Sequence, residues 1–147
     1  MPKNAAIYIA DPSMLGSRLF DSLDEIKSYQ GLSEDGNATG FKLTFGWGTF
    51  TMNLRSGEGL EEHLNGFRGF VDHTTEDQEL VLYTISRITY VRMLLGCVIT
   101  HESDAEKEAK EFLHTFNRAV NGLLFLENTV WDWTGDPIAG SASPRME

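Results

Sequence analysis

Four histidines, His63, His73, His101 and His114, and one cysteine, Cys97, are the side chains best suited to metal binding or proton transfer. Two of the histidines lie in an acid-rich stretch, where Glu58, Glu61, Glu62, Asp72, Glu76, Asp77 and Glu79 surround His63 and His73. A divalent transition metal needs carboxylates and imidazoles converging at about 2.0–2.2 Å. The donors are present, but their spacing matches no HExxH, no paired-histidine motif and no EF-hand loop. His101 opens a second zone, His101-Glu102-Ser103-Asp104, between an apolar run and a helical pattern. Loops beyond strand ends often hold ligands. Here Glu102, Asp104 and Glu106 would repel an anion from the helix start. No GxSxG elbow surrounds Ser103, which reads as a helix cap. His63, His73 and His101 are therefore the candidate metal or acid–base residues, with no firm ligand set.

The remaining reactive groups carry less. Cys97 sits inside the apolar run 93–99 and reads as a small buried hydrophobe. His114 lies beside Leu113 on a helical pattern and reads as a packing histidine. Glu61 and Glu62 are adjacent, so on a helix they diverge. Gly46-Trp47-Gly48 joins two strand patterns with no following helix, so it is no phosphate cradle. The three tryptophans offer a different chemistry. Trp47 falls at or near a hairpin tip. Trp131 and Trp133 alternate with polar residues and share one sheet face if their strand is regular. Rimmed by Glu127, Asp132 and Asp136, that pair is a candidate for a protein contact, and Trp47 is a third candidate partner-binding residue.

The elements that must position these residues follow from periodicity. Residues 5–10 form a buried strand. Asp11-Pro12 opens a helix with Leu15, Leu19, Leu23 and Ile26 on one face, ending at Gln30-Gly31. Residues 32–40 read as a loop. Residues 41–55 form a hairpin whose turn is either Trp47-Gly48 or Gly46-Trp47; both leave one face apolar. Residues 57–70 hold a short helix limited by Gly66 and Gly69. Thr75, three residues before Gln78, caps a second helix that yields near 88–91 to a strand over 91–100. Ser103 and Glu106 have capping-box spacing. Ala109, Phe112, Leu113, Phe116 and Val120 continue that helix, and Asn121-Gly122 stops it. A strand over 123–126 and a turn at 134–137 follow. The order suggests an α+β, ferredoxin-like βαββαβ sandwich with an added helix and strand. Helices would lie mainly on one face of a mostly antiparallel sheet. Residues 1–140 read as one domain and 141–147 as a flexible tail.

The chain has 147 residues, 41% of them hydrophobic, so its length fits one domain with a sizeable core. With 22 acids against 12 bases its net charge is −10. That field disfavours nucleic acid and anionic membrane, and it would suit a basic protein. A lone cysteine, a short apolar start and no apolar run long enough to span a bilayer suggest a cytoplasmic, soluble protein. No cofactor is implied. Fold analogy says little about activity. With no catalytic motif, an acidic interaction domain comes first, binding a protein partner or itself as a homodimer. A protein that neutralises a basic toxin is one concrete form. A hydrolase using His63, His73 or His101 with nearby carboxylates is the second expectation. A small-molecule binding domain, requiring a pocket of about 300 Å³ or more, is the third.

Overall fold

The computed structural model describes residues 2–57 and 59–143. Its centre is an eight-stranded, wholly antiparallel open sheet. The strands are β1 (Pro2–Ile9), β2 (Ser28–Glu34), β3 (Asn37–Phe45), β4 (Gly48–Arg55), β5 (Met93–His101), β6 (Leu123–Leu126), β7 (Thr129–Trp131) and β8 (Pro137–Gly140). Their order across the sheet is β2-β3-β4-β5-β1-β6-β7-β8. Four α-helices pack on it: α1 (Ser17–Ser22), α2 (Leu60–Thr74), α3 (Gln78–Thr89) and α4 (Glu106–Ala119).

The chain is therefore α+β, but the ferredoxin-like order is not reproduced. β5 lies between β1 and the β3–β4 hairpin, and helices cover both faces of the sheet. On one face Ile7, Leu43, Phe50, Met52, Leu95, Ile99 and Leu124 pack beneath Phe112, Leu113 and Phe116 of α4. On the other, Tyr8, Leu94, Leu123 and Val130 pack beneath Leu64, Phe67 and Val71 of α2 and Val81 and Ile88 of α3. Ile7, Tyr8 and Ile9 are all buried, which accounts for an unbroken apolar run where one-faced burial would give alternation.

Several local expectations are corrected. The first helix is only α1, six residues long, preceded by a 3-10 turn over Pro12–Met14. Gly16, at φ 147°, interrupts the two, and Leu15, Leu19, Leu23 and Ile26 still face the core. The supposed loop at 32–40 is largely the β2–β3 hairpin. Its turn, Asp35-Gly36, has φ of 52° and 81°, the left-handed pair that a two-residue hairpin turn of matching twist requires. The β3–β4 hairpin takes the Gly46-Trp47 turn, with Phe45 opposite Gly48 and Leu43 opposite Phe50.

The helix caps also differ. α2 runs through Gly66 and Gly69 to Thr74. A helical glycine costs roughly 1 kcal/mol, whereas burying Leu64, Phe67 and Val71 contributes about 1.5–3 kcal/mol each, so packing wins. The cap of α3 is Asp77, whose carboxylate accepts from the N–H groups of Glu79 (3.0 Å) and Leu80 (3.4 Å). Thr75 instead is buried, and its hydroxyl accepts from the Gly140 N–H at 3.2 Å. The Ser103–Glu106 box does not form, because a turn from Ala105 N–H to the Glu102 carbonyl puts Ala105 at the cap position. The stop at Asn121, φ 52°, and the helix-to-strand change after Thr89 are as expected.

At the C-terminus, Ser141 N–H bonds the Asn128 carbonyl and Ser143 is buried against Gly140. Residues 144–147 of the expected tail lie outside the described residues. No described helix is long and apolar enough to cross a membrane. Asp77→Ala is expected to lower unfolding free energy by about 1 kcal/mol in urea titrations. Ser103→Ala is expected to stay within about 0.5 kcal/mol of the parent; a larger loss there would restore the capping box.

Candidate functional site

All four histidines sit at separate places. His63 and His73 are both on α2, ten residues apart, so the helical rise alone separates them by about 15 Å. His63 Nε2 lies 2.9 Å from the Tyr8 hydroxyl. His73 is exposed and borders a hollow of about 320 Å³ with Thr75, Glu76 and Ser141. His101, at the end of β5, holds its Nδ1 2.6 Å from the Glu102 carbonyl. It shares a shallow hollow of about 290 Å³ with Trp47. Among the described residues no three histidine, cysteine or acidic side chains gather as a metal would need. Glu58 lies outside the described residues. Cys97 is buried, and burial pushes its thiol far above the ordinary value, so it is held protonated.

The tryptophans are also separated. Trp47 is half-buried and stacks on Phe45, ring centroids 4.5 Å apart. Strand β7 ends at Trp131, so the regular strand that would align Trp131 with Trp133 is absent. Trp131 packs against the core beneath α4, with His114 edge-on at 5.0 Å. Trp133 is 41% exposed in the turn between β7 and β8.

What Trp133 adjoins comes from its neighbour. Asp132 is buried, and its carboxylate accepts from the Tyr83 hydroxyl at 2.6 Å and from Arg87 at 2.7 Å. Arg87 also donates to the Asn121 carbonyl at 2.7 Å. From below, Asn117 Nδ2 reaches the carbonyls of Trp131 and Asp132. This network ties α3 to the Trp133 turn and to the end of α4. It holds Tyr83 beside that turn, and burial together with the bond to Asp132 raises the Tyr83 hydroxyl above its ordinary value.

The outward side of α3 then carries a stripe. At 100° per residue, Leu82, Ser86, Tyr90, Tyr83 and Arg87 fall in one arc. Leu82 and Tyr90 are each 69% exposed and Tyr83 is 40% exposed. Of the six exposed large hydrophobics among the described residues, four (Leu82, Tyr83, Tyr90 and Trp133) belong to α3, its C-terminal cap or the turn bonded to it. The Trp133 half of this surface was singled out in the sequence and the α3 half was not. The signal was there: Leu82, Tyr83 and Tyr90 are apolar positions off the Val81–Thr84–Ile88 face.

A second feature is an aromatic cleft of about 360 Å³ between α2 and the sheet. Tyr8 of β1 and Phe67 of α2 stack at 4.2 Å. Phe125 of β6 stands nearly perpendicular to Phe67 and Phe70. Gly66 and Glu62 complete the edge beside His63. Burial and the nearby Arg55 charge hold His63 below the ordinary histidine value, and burial raises Tyr8. Comparison of the chain with protein-family models, curated proteins and solved structures finds no match.

Arg87→Met leaves the buried Asp132 carboxylate with Tyr83 and no cation. It is expected to cost about 2–3 kcal/mol, less than a fully buried pair because Arg87 is partly exposed; an unchanged urea midpoint would contradict the network. His63 and His114 are both depressed, chiefly by burial. The unfolded chain therefore binds their protons more readily. Stability is complete above about pH 6.5 and falls as pH drops from there through the lower folded-state values. Chemical denaturation across that window is expected to show the loss, and His63→Gln or His114→Gln to flatten it.

Proposed function

We propose that this chain is a non-catalytic interaction domain that binds a protein partner through the outer side of α3 and the Trp133 turn. The exposure of Leu82, Tyr83 and Tyr90 on one arc, with Trp133 exposed in the turn that Asp132 ties to α3, carries the proposal. Aromatic and arginine side chains at the centre of a patch are the groups that dominate binding energy at protein interfaces. Tyr83 and Arg87 are already held by Asp132, so little side-chain freedom remains to be lost on association. Net charge of −10 favours a partner with a basic rim around its apolar contact, and it disfavours nucleic acid. A second copy of the chain would have to meet this charge with its own.

Two measurements test this reading. Sedimentation across a concentration series is expected to show a monomer, since like charge opposes self-pairing; a dimer dissociated by Leu82→Glu would make the chain its own partner. Affinity capture from native cell extract is expected to retain a partner that the Leu82→Glu/Trp133→Ala variant loses, while His101→Ala keeps it. Loss of one such anchor commonly costs about 2 kcal/mol, roughly thirtyfold in affinity. Identical capture by the parent and the surface variant, with no dimer, would remove the assignment.

A further inference from the structure

The cleft beside α2 is separate from the α3 stripe and has the form of a ligand site. Its volume of about 360 Å³ suits a molecule of one or two rings. Its walls are aromatic and set at right angles. Tyr8 and Phe67 are stacked with 11° between their planes, while Phe125 stands at 90° to Phe67 and 81° to Phe70. These rings already touch one another, with Phe125 centred 5.1 Å from Phe70 and 5.9 Å from Phe67, so a flat ring lies over them rather than between them, stacked offset on one and edge-on to another, the two arrangements aromatic pairs prefer. The polar equipment is small. Tyr8 and His63 share one hydrogen bond, and the tautomer of His63 decides which of them donates. If Tyr8 donates, its oxygen keeps a lone pair free; if His63 donates, the Tyr8 hydroxyl hydrogen is free. The pair can therefore serve a ligand donor or acceptor.

Gly66 supplies an independent observation. It lies inside α2, where glycine weakens a helix, and it does not take a positive φ. A β-carbon at 66 would meet nothing within 4 Å, so close packing does not require the glycine either. Gly66 is part of the lining of the cleft, so that stretch of its wall carries no side chain. Gly69, equally uncrowded on the same helix, is outside the cleft and serves as its control. Glu62 at the rim and Arg55, whose charge acts on His63, are of opposite sign, and the walls between are apolar, so the cleft favours a neutral molecule over a charged one.

We propose that this cleft binds a small, neutral, planar aromatic or heteroaromatic molecule, held against the Phe67, Phe70 and Phe125 rings and hydrogen-bonded to the Tyr8–His63 pair. The test is a titration of the whole, isotope-labelled chain with indole near neutral pH, followed by amide NMR. Saturable shifts are expected at His63, Gly66, Phe70 and Phe125, with a dissociation constant of about 1 mM or tighter. Gly66→Leu fills the opening and is expected to weaken indole at least about tenfold, while Gly69→Ala and Leu82→Glu leave it unchanged. Phe70→Ala, which removes one wall, is expected to weaken it as well and stands as the test should Gly66→Leu not fold. Indole-3-carboxylate is expected to bind at least about tenfold more weakly than indole. No saturable shift, shifts confined to other residues, or unchanged binding by Gly66→Leu or Phe70→Ala would overturn the site. Equal binding of the carboxylate would overturn its charge preference.

Discussion

Two neighbouring strands covered by apolar side chains on both sides are the constraint from which the rest of this molecule follows. β1 pairs with β5 over its whole length, from Pro2 opposite Thr100 to Ile9 opposite Met93. Ile7, Ile9, Leu95, Cys97 and Ile99 look to one side, and Tyr8 and Leu94 to the other. Neither side can be left to water, so a helix layer is needed above and below. α4 supplies one with Phe112, Leu113 and Phe116, and α2 with α3 supplies the other with Leu64, Phe67 and Ile88. Two separate apolar cores thus share the same central strands.

The second layer does not extend across the sheet. Thr49, Thr51 and Asn53 of β4, and Val98 and Thr100 of β5, lie on the same face as Leu94 but are exposed or half-exposed. Alternation of threonine and asparagine with the buried Phe50 and Met52 is what allows that half to meet solvent. α2 therefore ends its cover near β1, and the aromatic cleft sits at that boundary. The position is a physical consequence of a helix layer narrower than the sheet it covers.

The sequence revealed elements with a strong period and missed those set by single residues or by distant partners. The helix of Phe112 and Phe116 and the apolar face of the β3–β4 hairpin were legible because burial repeats along them, and Leu123–Leu126 because its apolar run is unbroken. The β2–β3 hairpin was hidden because β2 is an exposed edge strand with no apolar alternation. Only Asp35-Gly36 marked it, and the polar residues around that pair resemble an ordinary loop. The caps were misassigned because Ser103 and Thr75 have capping-box spacing, whereas the choice of Ala105 and Asp77 depends on a turn at 102–105 and on a tertiary bond from Thr75 to Gly140. His63, His73 and His101 were legible as chemistry but not as geometry. Trp133 and the apolar positions of α3 off its buried face were legible in the sequence, while their association needed the ion pair between Arg87 and Asp132, residues 45 positions apart.

Strand order across the sheet also bears on the order of synthesis. β2 to β5 pair in sequence, so each can dock on the strand made before it. β1 is different: its partners are β5 and β6, neither of which exists until the chain has reached residue 93. β1 is therefore made before the other strands of the sheet, yet it must wait for β5 before it can pair. Throughout elongation of the intervening helices and hairpins, Ile7, Tyr8 and Ile9 form an unpaired template on the nascent chain, open to mispairing with the strands that follow. Pairing β1 with β5 and β6 closes long loops, and it is there that the sheet costs the most chain entropy.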